Sequence, residues 1–214
     1  MAVPVNYRKS SEAAIASYNY TDIAEGTGVV VLYGVETEDN TTKDYSLVLN
    51  SICSTEISTG VTIPTGAATK GLDLDFDVKF NLPKILKGVV RAQITWSSNA
   101  SGGANLGGTS YVVLRVRKFS EGVETEIAMN TKSKTLVVAY PSQAGQTALI
   151  EIPINTRIHF KKDDILRMTV ELWSTASAGG DILSLYHDAT GSSTAISGIQ
   201  STKMIFQVPF VVDI

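Results

Sequence analysis

The chain has 214 residues, with 18 Lys plus Arg against 21 Asp plus Glu, two histidines and one cysteine. That length suits one large β-rich domain, whose core buries roughly 70% of the surface the unfolded chain exposes and so needs no metal or disulfide to fold. The mild charge balance disfavours a nucleic-acid partner, the lone Cys53 rules out an intramolecular disulfide, and the apolar runs fall far short of the roughly 18 residues of a membrane span.

Residues 1 to 27 read as a polar N-terminal arm ahead of a single domain over 28–214. The start lacks the apolar core of a signal peptide, so neither export nor membrane anchoring is expected. Arg8 and Lys9 face Glu12, Asp22 and Glu25 in number, a poor match to phosphates. Ser11 to Ser17 is the one stretch with room for a helical turn, capped by Ser10 or Ser11. Tyr7, Arg8, Tyr18 and Tyr20 are the arm's candidate docking contacts.

From there on, apolar side chains recur with a period of two, separated by breaks rich in Gly, Ser, Asn and Thr, which is the pattern of half-buried strands. Strands are predicted at Val29 to Val35 and Tyr45 to Leu49. Between Leu72 and Leu82 the residues Leu72, Leu74, Phe76, Val78, Phe80 and Leu82 share one face, and Pro83 ends the ladder by removing a donor. Val90 to Trp96 and Val112 to Val116 alternate likewise, flanking a Gly-rich break at Asn99 to Gly108.

Further strands are expected at Thr125 to Met129, Thr135 to Ala139, Ile150 to Phe160, Leu166 to Leu172 and, beyond a break at Ser174 to Asp181, Ile182 to Tyr186. The last run spans Met204 to Val212, where Pro209 implies an edge position or a bend. So many one-sided strands pack best as two facing sheets, and at this size the expected fold is an all-β, jelly-roll-type antiparallel β-sandwich.

Asp73, Asp75 and Asp77 superficially resemble a calcium loop, but Val78 and Lys84 stand where Gly and Glu would be required. Their spacing is that of an outward strand face, and their mutual repulsion calls for a cross-strand Arg or Lys. His159 and His187 are too few and too far apart in sequence to define a metal site, and each is expected on a polar surface. His187 and Asp188 precede a Ser- and Thr-rich loop, yet no Gly-x-Ser-x-Gly elbow supports a hydrolytic triad.

The pairs Gly102, Gly103 and Gly107, Gly108 lack the Lys-Ser/Thr of a phosphate loop. Asn19, Asn40 and Asn99 match glycosylation acceptors, which matter only in an exported chain. Trp173 lies in the phase of Arg167, Thr169 and Glu171 and is expected to be exposed at a strand end, where it could serve as a sugar platform or interface anchor. No catalytic residue, cofactor or metal site is expected, and Trp173, His187 and Asp188 are the candidate partner or ligand contacts.

Four segments, Tyr20 to Gly28, Leu72 to Pro83, Phe160 to Arg167 and Leu185 to Asp188, together resemble jelly-roll virion structural proteins of tailed bacteriophages, of the capsid decoration or fibre type. The resemblance implies a non-enzymatic capsid decoration, cement or capsid-attached component, made in the host cytoplasm and located in the virion. Its partners would be the major capsid protein or neighbouring subunits, with a homo-oligomer, a trimer by analogy, and neither direct nucleic-acid nor membrane contact. The alternative is a glycan- or receptor-binding module of a phage fibre or tail.

Overall fold

A computed structural model describes residues 27–39, 42–50, 58–64, 69–99, 108–130, 132–138, 143–175, 181–187 and 202–211. Among these residues the chain forms twelve strands. They are β1 (Thr27–Asp39), β2 (Thr42–Val48), β3 (Ser58–Ile63), β4 (Thr69–Lys79), β5 (Lys84–Asn99) and β6 (Gly108–Ser120), followed by β7 (Val123–Met129), β8 (Leu136–Val138), β9 (Gln143–Phe160), β10 (Ile165–Thr175), β11 (Asp181–Tyr186) and β12 (Ile205–Val211). The arm, its predicted helical turn and most of both Gly-rich breaks lie outside the described residues.

The sixteen-residue β5 organises one layer. Along one edge it pairs with β9; along the other it pairs first with β12 and then, from Thr95 on, with β11. β1 and β2 extend the layer beyond β12, and β3 extends it beyond β11. The second layer runs β4, β10, β6, with β7 and β8 on successive parts of the remaining edge of β6. All pairings are antiparallel except one parallel pair, Ser46 with Asp77, that joins β2 to β4.

The chain crosses between layers from β3 to β4, β4 to β5, β5 to β6 and again from β8 through β11, as a jelly roll does. Alternation explains the packing. Phe76 of β4 is fully buried and lies 6.3 Å, ring to ring, from Phe206 of β12. Phe80 is edge-on to both Phe160 and Phe210 at 5.1 and 5.6 Å. Trp96 of β5 donates its indole N–H across the core to Ser110 Oγ of β6 at 3.0 Å, which satisfies the polar atom of a wholly buried ring.

Pro209 sits in β12, between β1 and β5, so the edge position predicted for it does not hold and the bend does. The β12–β5 register shifts between Gln207 and Phe210, where a proline without an N–H can be accommodated. Directly across stands Gly88, with φ of +121°, where β5 also slips against β9.

Candidate functional site

Inward alternation in β1 carries Val30 and Leu32 and then places Glu36 in the core. In β11 the inward series Leu183, Leu185 ends on His187. Both Glu36 and His187 are wholly buried, so the surface position expected for His187 is corrected: its strand phase, not its polarity, decides where it goes. His159, by contrast, is exposed on β9.

Two further strands, β2 and β3, supply the polar partners of this pair. Thr59 of β3 donates to Glu36 Oε2 at 3.1 Å, and Lys43 of β2 donates to Glu36 Oε1 at 2.9 Å. The single Thr59 proton is thus committed to the carboxylate. Its hydroxyl oxygen then accepts from Tyr45 at 3.0 Å and from His187 Nε2 at 2.9 Å, which makes Nε2 the protonated ring nitrogen. His187 Nε2 also lies 3.3 Å from Glu36 Oε2. Burial pushes the Tyr45 phenol pKa up, the Thr59 bond opposes this, and the nearby Glu36 charge adds to the rise.

In a hydrolytic triad the carboxylate and the nucleophile sit on different nitrogens of the ring; here Glu36 and Thr59 share one. As arranged, the cluster is a polar cross-link tying β1 and β2 to β3 and the end of β11, against the edge of the Tyr45 ring 5.7 Å away. Sequence reasoning singled out His187 and missed Glu36, Thr59, Tyr45 and Lys43. The available signal was Glu36, a carboxylate in the inward phase of an apolar strand.

Trp173 lies on the outer face of the β4–β10–β6 layer, half-buried rather than exposed. One reason is a register shift between Leu172 and Trp173 that leaves Gly71 as an extra residue in β4 and pairs Trp173 with Lys70. The other is Tyr111 of β6, directly opposite, whose ring is parallel to the indole within 3° at a centroid distance of 6.3 Å. Lys132 Nζ sits 4.5 Å from the Tyr111 ring centre. The indole N–H donates to Glu171 Oε2 at 2.9 Å. Burial acts to raise the Glu171 pKa, but this bond and the Arg115 guanidinium lower it on balance.

The rest of that face is a quilt of cross-strand pairs. Arg167 binds Asp77 with two bonds of 2.8 Å, reaches Asp75 at 3.1 Å and Glu124 at 2.9 Å, and supplies the cation that the three aspartates call for. Thr169 donates to Asp75 at 2.6 Å, and Lys70 binds Asp73. Arg115 bridges Glu171 and Glu126, while Arg117 holds Glu124. Carboxylates and cations here neutralise each other within the chain.

The opposite outer face, on β9, β5, β12 and β1, is different. Strand register lines up Glu151, Arg91, Gln207 and Val31 in one row. The row on one side includes Leu149, Gln93 and Ile205, the row on the other Pro153 and Val89. Leu149 is 81% exposed. The only charges in these three rows are Arg91 and Glu151, joined at 2.7 Å.

Asp188 and the arm residues Tyr7, Arg8, Tyr18 and Tyr20 lie outside the described residues. Among the described residues no group of three or more His, Cys, Asp or Glu side chains is placed to hold a metal ion, and no helix is long and apolar enough to cross a membrane.

No protein-family model and no curated protein matches this chain. Among solved structures it is similar to a CocE/NonD family hydrolase from Staphylococcus aureus, with 11% identity and a TM-score of 0.49, over 84% of this chain and 36% of that one. A second structure of a CocE/NonD family hydrolase from the same organism gives 12% identity and a TM-score of 0.46 over the same shares. A chain from a structure of infectious bursal disease virus, Gx strain, gives 10% identity and a TM-score of 0.30, over 95% of this chain and 53% of that one. The chain therefore spans about a third of the hydrolases and half of the viral chain. The expectation that this protein is not an enzyme is corrected by the hydrolase matches and is withdrawn; a likeness of this degree assigns no activity in its place.

Proposed function

We propose that this chain is a virion structural protein, a capsid decoration or capsid-attached component of a tailed phage, that works by binding copies of itself and other virion proteins. The observation that carries this reading is the contrast between the two outer faces. One has its charges paired off within the chain, while the central rows of the other carry, besides the joined Arg91 and Glu151, uncharged Val, Leu, Ile, Pro and Gln side chains on paired strands. Interfaces between subunits are depleted in charge at their centre in the same way.

Proteomics of purified particles tests it. The chain is expected at a copy number comparable to other structural proteins, and absence or trace amounts would end the reading.

A second reading, a glycan- or receptor-binding module of a fibre or tail, is favoured by one observation. Trp173 and Tyr111 present parallel rings beside the exposed Lys132, a grouping suited to stacking on a sugar and donating to one of its hydroxyls. Saturable binding on a glycan array, lost in Trp173→Ala, is the result that would replace the first reading with this one.

A further inference from the structure

The part of the β9–β5–β12–β1 face built on β9 and β5 is self-complementary. A symmetric pair needs a surface in which each residue meets its counterpart's partner, so that residue i touches j and j touches i. Arg91 and Glu151 stand side by side on neighbouring strands, 57% and 64% exposed, in the middle of three rows that carry no other charge. Turning a second copy by 180° about an axis that lies in the face, parallel to the strands and midway between β5 and β9, exchanges the two columns. Arg91 then lies over Glu151 of the partner subunit, and Glu151 over Arg91 of the partner subunit.

The same rotation sets Val89 against Pro153 of the partner subunit, because these two are register partners on the same pair of strands. Leu149 falls on the groove of about 250 Å³ that runs past Gln93 and Ile205. Rotation about the other in-plane axis would stack Arg91 on its own copy, so the charges select one orientation.

We infer that this face is the contact between two copies of the chain, related by that two-fold axis and registered by reciprocal Arg91–Glu151 pairs. It rests on the reading of the protein as a self-associating subunit and names the surface. It also implies an assembly built from pairs rather than the trimer suggested by the phage resemblance. The ion pairs set register more than affinity, which comes from Leu149, Val89 and Pro153 beside them.

Charge exchange tests it on the full chain. Wild type is expected to be a dimer, or a multiple of dimers, by sedimentation velocity. Arg91→Glu and Glu151→Arg, each made singly, place like charges across the axis and are expected to weaken association at least tenfold, with circular dichroism unchanged and melting lowered only slightly by the like charges now side by side on the exposed face of β5 and β9. Mixing the two variants is expected to restore pairing as a mixed dimer, in which every cross-axis contact again joins opposite charges. Odd-numbered rings cannot alternate two variants in this way.

Leu149→Lys gives a second route, breaking the dimer while leaving the ion pair in place. A monomeric wild type overturns the inference, and so does an oligomer indifferent to all three substitutions, or singles that dissociate but fail to pair on mixing. Particle proteomics stays separate: a dimer missing from virions sinks the virion reading alone, and a virion protein that is monomeric sinks this surface alone.

Discussion

The guanidinium of Arg167 grips the Asp77 carboxylate through two parallel bonds, Nε to Oδ1 and Nη2 to Oδ2, each 2.8 Å long. Asp75 and Glu124 lie within 3.1 Å of the same group, and its far side rests on the Phe119 ring. The Asp77 bond raises the arginine pKa, so this site stays charged at every pH the fold survives. Removing it leaves three carboxylates facing each other across β4, β10 and β7.

Arg167→Ala is therefore expected to cost about 2 kcal/mol in urea unfolding, and Arg167→Lys about 1 kcal/mol, because an ammonium cannot make the forked contact. Molar salt, which screens the remaining repulsion, should shrink both losses. Equal losses at low and high salt would mean that packing on Phe119, not charge, is what Arg167 provides.

The Glu36 cluster is a different case, since no solvent reaches its carboxylate. Glu36→Ala strips Lys43, Thr59 and His187 of a shared acceptor and opens a cavity, with an expected loss of about 3 kcal/mol. Glu36→Gln keeps the shape and one acceptor oxygen, and about 1 kcal/mol is expected. Denaturant midpoints with unchanged m-values would check both, and a silent Glu36→Ala would show that the cross-link contributes nothing to stability.

How much of this could be read beforehand depends on where the information lies. Alternation in Leu72 to Leu82 writes the two faces of β4 into the residues themselves, and the need for a cation opposite three aspartates follows from the same pattern. β3, Ser58–Ile63, escaped prediction because Ser, Thr and Gly dominate it and only Val61 and Ile63 mark its inward face. The His187 cluster draws on β1, β2, β3 and the end of β11, which only the strand order brings together. Trp173 was placed on the correct face, but its cover depends on Tyr111, whose register against β10 no local pattern reveals.

At the β9–β10 turn, Asp164 accepts from Ser120 at 2.5 Å and from the Lys161 backbone N–H at 2.7 Å, with Lys118 Nζ 2.8 Å away. Burial acts to raise its pKa, but the Lys118, Ser120 and Lys161 bonds outweigh it and hold the carboxyl at about 2, against 3.8 for the free group. A depressed folded-state pKa contributes stability that is complete above the unfolded value and disappears as pH falls through the folded one. The stability gap between wild type and Asp164→Asn should accordingly be constant above about pH 4.5 and close as pH approaches 2. A gap that persists undiminished at pH 2 would trace the effect to turn geometry instead.

Two glycines separate backbone strain from crowding. Gly122, at φ of +82° in the β6–β7 turn, has open space where a Cβ would stand, so Gly122→Ala should cost only the left-handed conformation, about 1 kcal/mol. Gly88, at φ of +121°, would in addition drive a Cβ to 3.1 Å from Pro209 Cβ, and Pro209 is held between β1 and β5 with no rotamer to yield. Gly88→Ala is expected to lose about 3 kcal/mol, since a strained backbone and a displaced central strand combine. The same slip aligns Val89 with Pro153 on the outer face, so the Gly88 variant, if it folds, should also lose dimerisation. Thermal melts of the two alanine variants side by side, with sedimentation of the survivor, would measure both effects; equal losses at the two sites would mean that Pro209 moves aside freely and the Gly88 bend is not what sets the register.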